Sequence, residues 1–192
     1  PGGGPQKVGV AVADITTGMY ATVAILAALV NRSLTGAGQY IDMALLDTQV
    51  AMLANLGANY LVTGVAPRRA GNAHQNIVPY QVFEAADGYL ILAVGNDAQF
   101  VRFCEVAGQP ELARDLRFLR NADRVRHREL LVPLLVDLMH TRSKQQWLSA
   151  LEAAKVPCGA INDLAEVFAD PQVQAREMAV PVPHPLSDSL RL

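Results

Sequence analysis

Gly9-Val10-Ala11-Val12-Ala13-Asp14-Ile15-Thr16-Thr17-Gly18-Met19-Tyr20 is the stretch on which the reading of this chain turns. One carboxylate, Asp14, stands in an apolar run, followed by two threonines, a glycine and an unbroken helical pattern. A lone carboxylate there costs several kcal/mol unless backbone N–H groups or a helix N-terminus receive it. Two readings stay open. Asp14 is an N-cap whose oxygen accepts the N–H of Thr16 or Thr17, or it is a nucleophile or acid/base group held where a helix start stabilises negative charge.

Working outward, Val8 to Ala13 suits a short buried strand or a tight approach to the helix that follows from about Thr16 to Asn31. That helix is apolar nearly all round, which predicts burial on most faces. Thr35-Gly36-Ala37-Gly38 reads as a turn and Gln39 to Ala44 alternates as a strand does. Asp47 is expected to cap a second helix running to about Thr63.

The chain has 192 residues, 51% hydrophobic and 18% charged, with a formal net charge of −2. This is enough for a sizeable core in one or two domains. Near-neutral balance without a Lys/Arg run argues against a general nucleic-acid or anionic-membrane surface. The apolar run Met19 to Val30 is too short to span a bilayer, and Pro1-Gly2-Gly3-Gly4-Pro5 lacks the features of a signal peptide. The sequence starts without an initiator Met and like a loop leading into an established domain, so a piece of a longer protein is expected. Cys104 and Cys158 have no spacing motif and read as reduced thiols of a cytoplasmic protein.

Between Gly64 and Pro79 periodicity disappears, so Ala66 to Asn76 reads as an exposed loop or linker, of the kind that often carries functional side chains. Tyr80 to Ala85 and Tyr89 to Val94 flank Ala86-Asp87-Gly88, a hairpin signal. Asp97 is expected to cap the next helix, with Phe100, Val101, Cys104 and Val106 facing inward. Asn121 or Asp123 opens a pattern through Leu138, which Pro133 should kink or divide into two helices. Ser143 to Gln146 is a capping box, Val156 to Ile161 an extended segment, Asn162 or Asp163 a cap, and Asp170-Pro171 a cap followed by proline at the first helical position. Val180 to Pro185 carries too many prolines for an interior strand and reads as a return linker.

His74, His127, His140 and His184 are scattered, without metal-ligand spacing, so no metal site is expected. His127 and His140, among Arg126, Arg128 and Arg142, read as a solvated basic face. No nucleophile elbow and no phosphate loop occurs. Arg68-Arg69 with His74-Gln75-Asn76 suits either an anionic ligand or a polar surface loop. The residues by themselves support a two-part mixed α/β chain with one conspicuous aspartate.

A wider pattern adds to this. Gly9 to Asp14 with Thr17 to Tyr20, Ile25 to Leu29, Thr35 to Gln39, Asp42 to Asp47, Gly71 to His74, Val78 to Tyr80, Ala86 to Gly88, Ala93 to Asp97, Val156 to Gly159 and Asp170 to Val173 together resemble the family III CoA-transferases of the CaiB/BaiF type. That group includes carnitine and formyl-CoA transferases and the α-methylacyl-CoA racemases. The resemblance implies the end of a Rossmann-like large domain (residues 1–66), a linker and active-site loop (67–79), a small α+β domain (80–178) and a return linker (179–192).

It implies further that Asp14 is a nucleophile in an acyl-CoA:carboxylate CoA-transferase, working through an aspartyl anhydride and thioester. Gly71, Asn72, His74, Gln75, Asn76, Asn96 and Asp97 would lie near the CoA thioester. The loop's His and amides resemble the branch that uses succinyl-CoA or a similar dicarboxylic donor. Coenzyme A and acyl-CoA would be substrates, with no permanently bound cofactor. A small carboxylic acid would be the other substrate, and an interlocked homodimer the assembly; neither nucleic acid nor membrane is an expected partner. Two alternatives accompany this: an α-methylacyl-CoA racemase using Asp14 as acid/base, against which Asn96-Asp97 stands where racemases carry a Glu, and an inactive fragment.

Overall fold

The computed structural model describes residues 4–187, 190 and 191; Pro1, Gly2 and Gly3 of the opening loop and Asp188, Ser189 and Leu192 of the expected return linker lie outside them. The chain is mixed α/β and divides into two compact units, one ending at Gly71 and one beginning at Asn72.

In the first unit, α1 (Val12–Thr35), α2 (Leu45–Ala51) and α3 (Ala54–Thr63) are joined by irregular segments. The strands expected at Val8–Ala13 and Gln39–Ala44 are absent: the former becomes coil running into α1, the latter is irregular throughout. A strand needs a partner for its backbone groups, whereas a helix satisfies its own. Alanine content, Asp14 in the first turn and Arg32 in the last favour α1. Gly36 ends it at φ +74°, its N–H donating to the Arg32 carbonyl. Asp47 does not cap α2; Ala44 precedes that helix and Asp47 sits in its first turn. The single long helix expected to Thr63 is broken after Ala51, where Ala54 takes a φ of +45°.

The burial expected for α1 is not found. None of its residues is buried in this chain, and Met19 and Val23 are each 66% exposed. At 24 residues α1 also passes, by length and composition, for a membrane span, so the argument from the shorter Met19–Val30 run does not hold.

The second unit holds the core. Strand β1 (Tyr80–Ala85) pairs antiparallel with β2 (Gly88–Ala93) across the two-residue turn Ala86-Asp87, and β3 (Cys158–Ala160) adds to β2. Phe83 lies opposite Leu90, both buried, as the period of two requires. Against this sheet pack α6 (Arg128–Met139) and α7 (Lys144–Ala153), with α4 (Asp97–Val106) on α7 and α5 (Asn121–Arg126) on α6, and with Phe103, Leu131, Leu135 and Trp147 in the core. The Trp147 indole N–H donates to the Met139 carbonyl at 2.8 Å, so the buried ring leaves no polar atom unsatisfied. Short α8 (Leu164–Ala169) and α9 (Pro171–Ala175) follow, capped by Asp163 and Asp170.

Three local expectations are corrected here. Asn96, not Asp97, caps α4, accepting the Gln99 N–H. Val101 faces outward, 42% exposed, while Phe103 takes the inward position. The helix break falls at His127, whose φ of −106° and ψ of 24° leave the helical region, while α6 continues through Pro133.

Candidate active site

Asp14 is the third residue of α1, in its first turn, and Ala11 precedes the helix without a side-chain cap. The N-cap reading is therefore excluded. The carboxylate is exposed and unpaired among the described residues. Its helix is pinned nearby: the Thr17 and Thr48 hydroxyls meet at 2.6 Å, and Thr17 donates to the Ala13 carbonyl at 2.7 Å. Thr48, on α2, is 4% exposed.

The other candidates lie in the second unit, apart from Gly71, which closes the first with a φ of +64° that favours glycine. The segment Asn72–Pro79 is a bent loop held at nearly every residue. Asn72 Oδ1 accepts the Val82 N–H at 3.1 Å, anchoring the loop to β1. The His74 N–H donates to the Tyr80 carbonyl at 2.8 Å, and the two rings stack with centroids 5.3 Å apart. His74 Nδ1 accepts the Asn76 N–H at 3.0 Å. Arg128 Nη2 donates to the carbonyls of His74 and Gln75 at 3.3 and 2.6 Å.

Asn96 and Asp97 meet this loop through intermediaries. Asn121 donates its backbone N–H to Asp97 Oδ1 at 2.9 Å and its Nδ2 to the Asn76 carbonyl at 2.7 Å, and its Oδ1 accepts the Val78 N–H at 3.1 Å. Arg124, fully buried, donates from Nε to the Val78 carbonyl at 2.7 Å and from Nη2 to Asp97 Oδ1 at 2.8 Å. It also donates from Nη1 to the Phe118 carbonyl at 3.0 Å, with its guanidinium 4.4 Å from the Phe100 ring centroid. Asp97 is thus committed to a buttress behind the loop, and Asn96 to capping α4.

Sequence reading missed Asn121, Arg124 and Arg128. The run Asn121-Ala-Asp-Arg-Val-Arg-His-Arg looks like a basic surface, and only Arg126, paired with Asp123 at 2.7 Å and largely exposed, fits that description. Arg142 likewise lies over the Trp147 ring, 4.5 Å from its centroid. The expected solvated basic face is in large part a set of clamps.

Neither cysteine is disposed to act as a nucleophile. Burial pushes the Cys104 thiol up to about 12 and raises that of Cys158 as well, and the thiolate is the reactive form. Among the described residues no group of three or more His, Cys, Asp or Glu comes together as metal ligands would.

The sequence profile of the CoA-transferase family III matches residues 1–191. The chain belongs to that family. It is 51% identical over 180 residues to a succinate–glutarate CoA-transferase from Agrobacterium fabrum, covering 94% of this chain and 45% of that protein. It is 39% identical over 183 residues to the human succinyl-CoA:glutarate CoA-transferase, covering 95% of this chain and 42% of that one. The crystal structure of a CAIB/BAIF family protein from Brucella suis superposes with a TM-score of 0.72 at 45% identity, over all of this chain and 53% of that one. The chain therefore spans about half the length of the family III relatives it matches.

Proposed function

We propose that this chain carries the covalent nucleophile of an acyl-CoA:carboxylate CoA-transferase, with Asp14 in that role. The observation that carries the reading is the state of Asp14: an exposed, unpaired carboxylate in the first turn of a long helix. The helix start favours its charge by about 0.3–1 kcal/mol while leaving its lone pairs free to attack. The close likeness to two relatives named as dicarboxylic CoA-transferases supports it.

In the proposed reaction an Asp14 oxygen attacks the thioester carbonyl of the donor acyl-CoA, and the C–S bond breaks to give a mixed anhydride and CoA thiolate. The thiolate attacks the aspartyl carbonyl, releasing the donor's carboxylate and leaving an aspartyl-CoA thioester. The acceptor carboxylate then attacks that thioester, and the freed thiolate takes up the acceptor's acyl group, restoring Asp14. Each step exchanges one acyl bond for another without water, so exclusion of water protects both intermediates.

Succinyl-CoA or a similar dicarboxylic donor is the narrower reading, supported by the names of the relatives. Asn72, His74, Gln75 and Asn76 would contribute to acyl-CoA binding, with Asn96 and Asp97 shaping the loop from behind. The division into residues 1–66, 67–79, 80–178 and 179–192, a cytoplasmic location and an interlocked homodimer belong to the same proposal. So does the burial of α1 against protein rather than lipid.

Hydroxylamine trapping during turnover of the full-length protein tests the reading. A hydroxamate on Asp14 is expected, and Asp14→Asn should abolish transfer, because a carboxamide forms no anhydride. An enzyme that turns over with no adduct on Asp14 would overturn it. Deuterium exchange at the α-carbon without acceptor acid would point to the racemase instead.

A further inference from the structure

Among the described residues of the first unit one side chain is buried, and it is polar: Thr48 of α2, 4% exposed. No residue of α1 is buried, so apolar burial does not locate the start of that helix within the unit. A pair of hydroxyls does. Thr48 Oγ1 meets Thr17 Oγ1 at 2.6 Å, and Thr17 Oγ1 lies 2.7 Å from the Ala13 carbonyl oxygen. Thr48 Oγ1 also lies 3.0 Å from the Leu45 carbonyl oxygen.

Counting protons gives these contacts a direction. Each hydroxyl carries one proton, so three contacts compete for two. The two hydroxyl oxygens at 2.6 Å must hold one of them between them, because facing lone pairs at that distance repel. The longest contact, Thr48 to Leu45, is then the one left without a proton. The Thr48 O–H donates to Thr17, and the Thr17 O–H donates to the Ala13 carbonyl. That carbonyl belongs to the peptide whose nitrogen is that of Asp14, and Thr17 stands three residues on, on the same helix face. A buried hydroxyl on α2 thus reaches the Asp14 peptide through two hydrogen bonds.

We propose that Thr48 is a positioning residue of the transfer reaction, holding through Thr17 the peptide that carries Asp14. The inference rests on Asp14 being the nucleophile. Attack on a thioester carbonyl needs the carboxylate oxygen within about 3–3.5 Å and aligned, so a displacement of about 1 Å in the first turn slows the covalent step. Thr48 touches no substrate in this role, so its loss is read in kcat and not in KM.

The full-length enzyme provides the test. Thr48→Val removes the hydroxyl and keeps the branched shape. It should lower kcat about tenfold or more, with KM for acyl-CoA and for the acceptor acid within about threefold. Single-turnover formation of the Asp14 adduct, trapped with hydroxylamine and followed by mass spectrometry, should slow by the same factor. Thr48→Ser retains the hydroxyl and should recover most of the rate. Thr17→Val should also slow the covalent step, and the double variant should be no slower than the slower single one, since both remove the same link. Equal losses in Thr48→Ser and Thr48→Val would reduce Thr48 to packing and overturn the proposal, as would an unchanged kcat in Thr48→Val or additive losses in the double variant. If Thr48→Val does not fold, Thr17→Val, at a half-buried position, decides: an unchanged kcat there overturns the proposal equally. A wild type that turns over with no adduct on Asp14 refutes the nucleophile itself, whereas an adduct on Asp14 with unchanged rates in the variants refutes the role of Thr48 alone.

Discussion

Replacing Arg124 by methionine isolates the buried guanidinium of the second unit. Methionine keeps most of the buried stem and removes only the guanidinium. Four acceptors then lose their donor: the carbonyls of Val78 at 2.7 Å, Phe118 at 3.0 Å and Leu119 at 3.3 Å, and Asp97 at 2.8 Å. Their fates differ. The Asp97 side chain is 52% exposed, so its carboxylate rehydrates and its share is about 1 kcal/mol or less. The Val78 carbonyl lies between two buried residues and finds no water, at about 1–3 kcal/mol for a stranded acceptor. The contact with Phe100 at 4.4 Å adds about 1–2 kcal/mol in a desolvated place. Arg124→Met should therefore lower the unfolding free energy by about 3–5 kcal/mol, a large part of the roughly 5–15 typical of a domain. Urea titration followed by fluorescence is the assay, because Trp147 is the single tryptophan and lies in the core of this unit. Asp97→Asn, which keeps the acceptor oxygen and removes only charge, should cost about 1 kcal/mol or less. A loss below about 1 kcal/mol in Arg124→Met, or equal losses in the two variants, would refute the view that the carbonyl clamp outweighs the ion pair.

Thiol chemistry should separate the two cysteines: at pH 8 a maleimide reagent should label Cys158, half-buried, well before Cys104, and mass spectrometry of the intact chain would register the order. The raised Cys104 thiol also gives a pH dependence. Below its ordinary value of 9.0 the thiol is protonated in both states and contributes nothing; between 9 and about 12 the unfolded chain loses that proton first, so stability should fall as pH rises, seen as a declining urea midpoint. At the start of α7, Ser143 accepts the Gln146 N–H at 3.2 Å and Gln146 Oε1 accepts the Ser143 N–H at 2.9 Å, so Ser143→Ala should cost about 1 kcal/mol by the same titration.

What could be read from the residues, and what could not, follows the range of the forces involved. The hairpin at Ala86-Asp87, the capping box at Ser143, the cap at Asp163 and the Asp170-Pro171 start depend on contacts within a few residues, and each lies where the local chemistry puts it. The strand expected at Gln39–Ala44 did not form, and of the two readings of Val8–Ala13 the approach to the helix holds rather than the strand, because pairing is decided by a neighbour that no local pattern supplies. Arg124 shows the same limit in the site. In sequence it is one basic residue among several, and its identity as a core residue depends on Val78, 46 positions earlier, presenting a buried carbonyl to its Nε. Asp97 was expected to cap its helix, but Asn96 does so and the Asp97 carboxylate serves a cation 27 positions away. Asp14 is the converse case: helix-start physics suits a cap and a nucleophile alike, so local sequence could not choose between them. Its place inside the first turn, where Ala11 holds the cap position, removes the cap and leaves an exposed carboxylate whose charge favours the helix start.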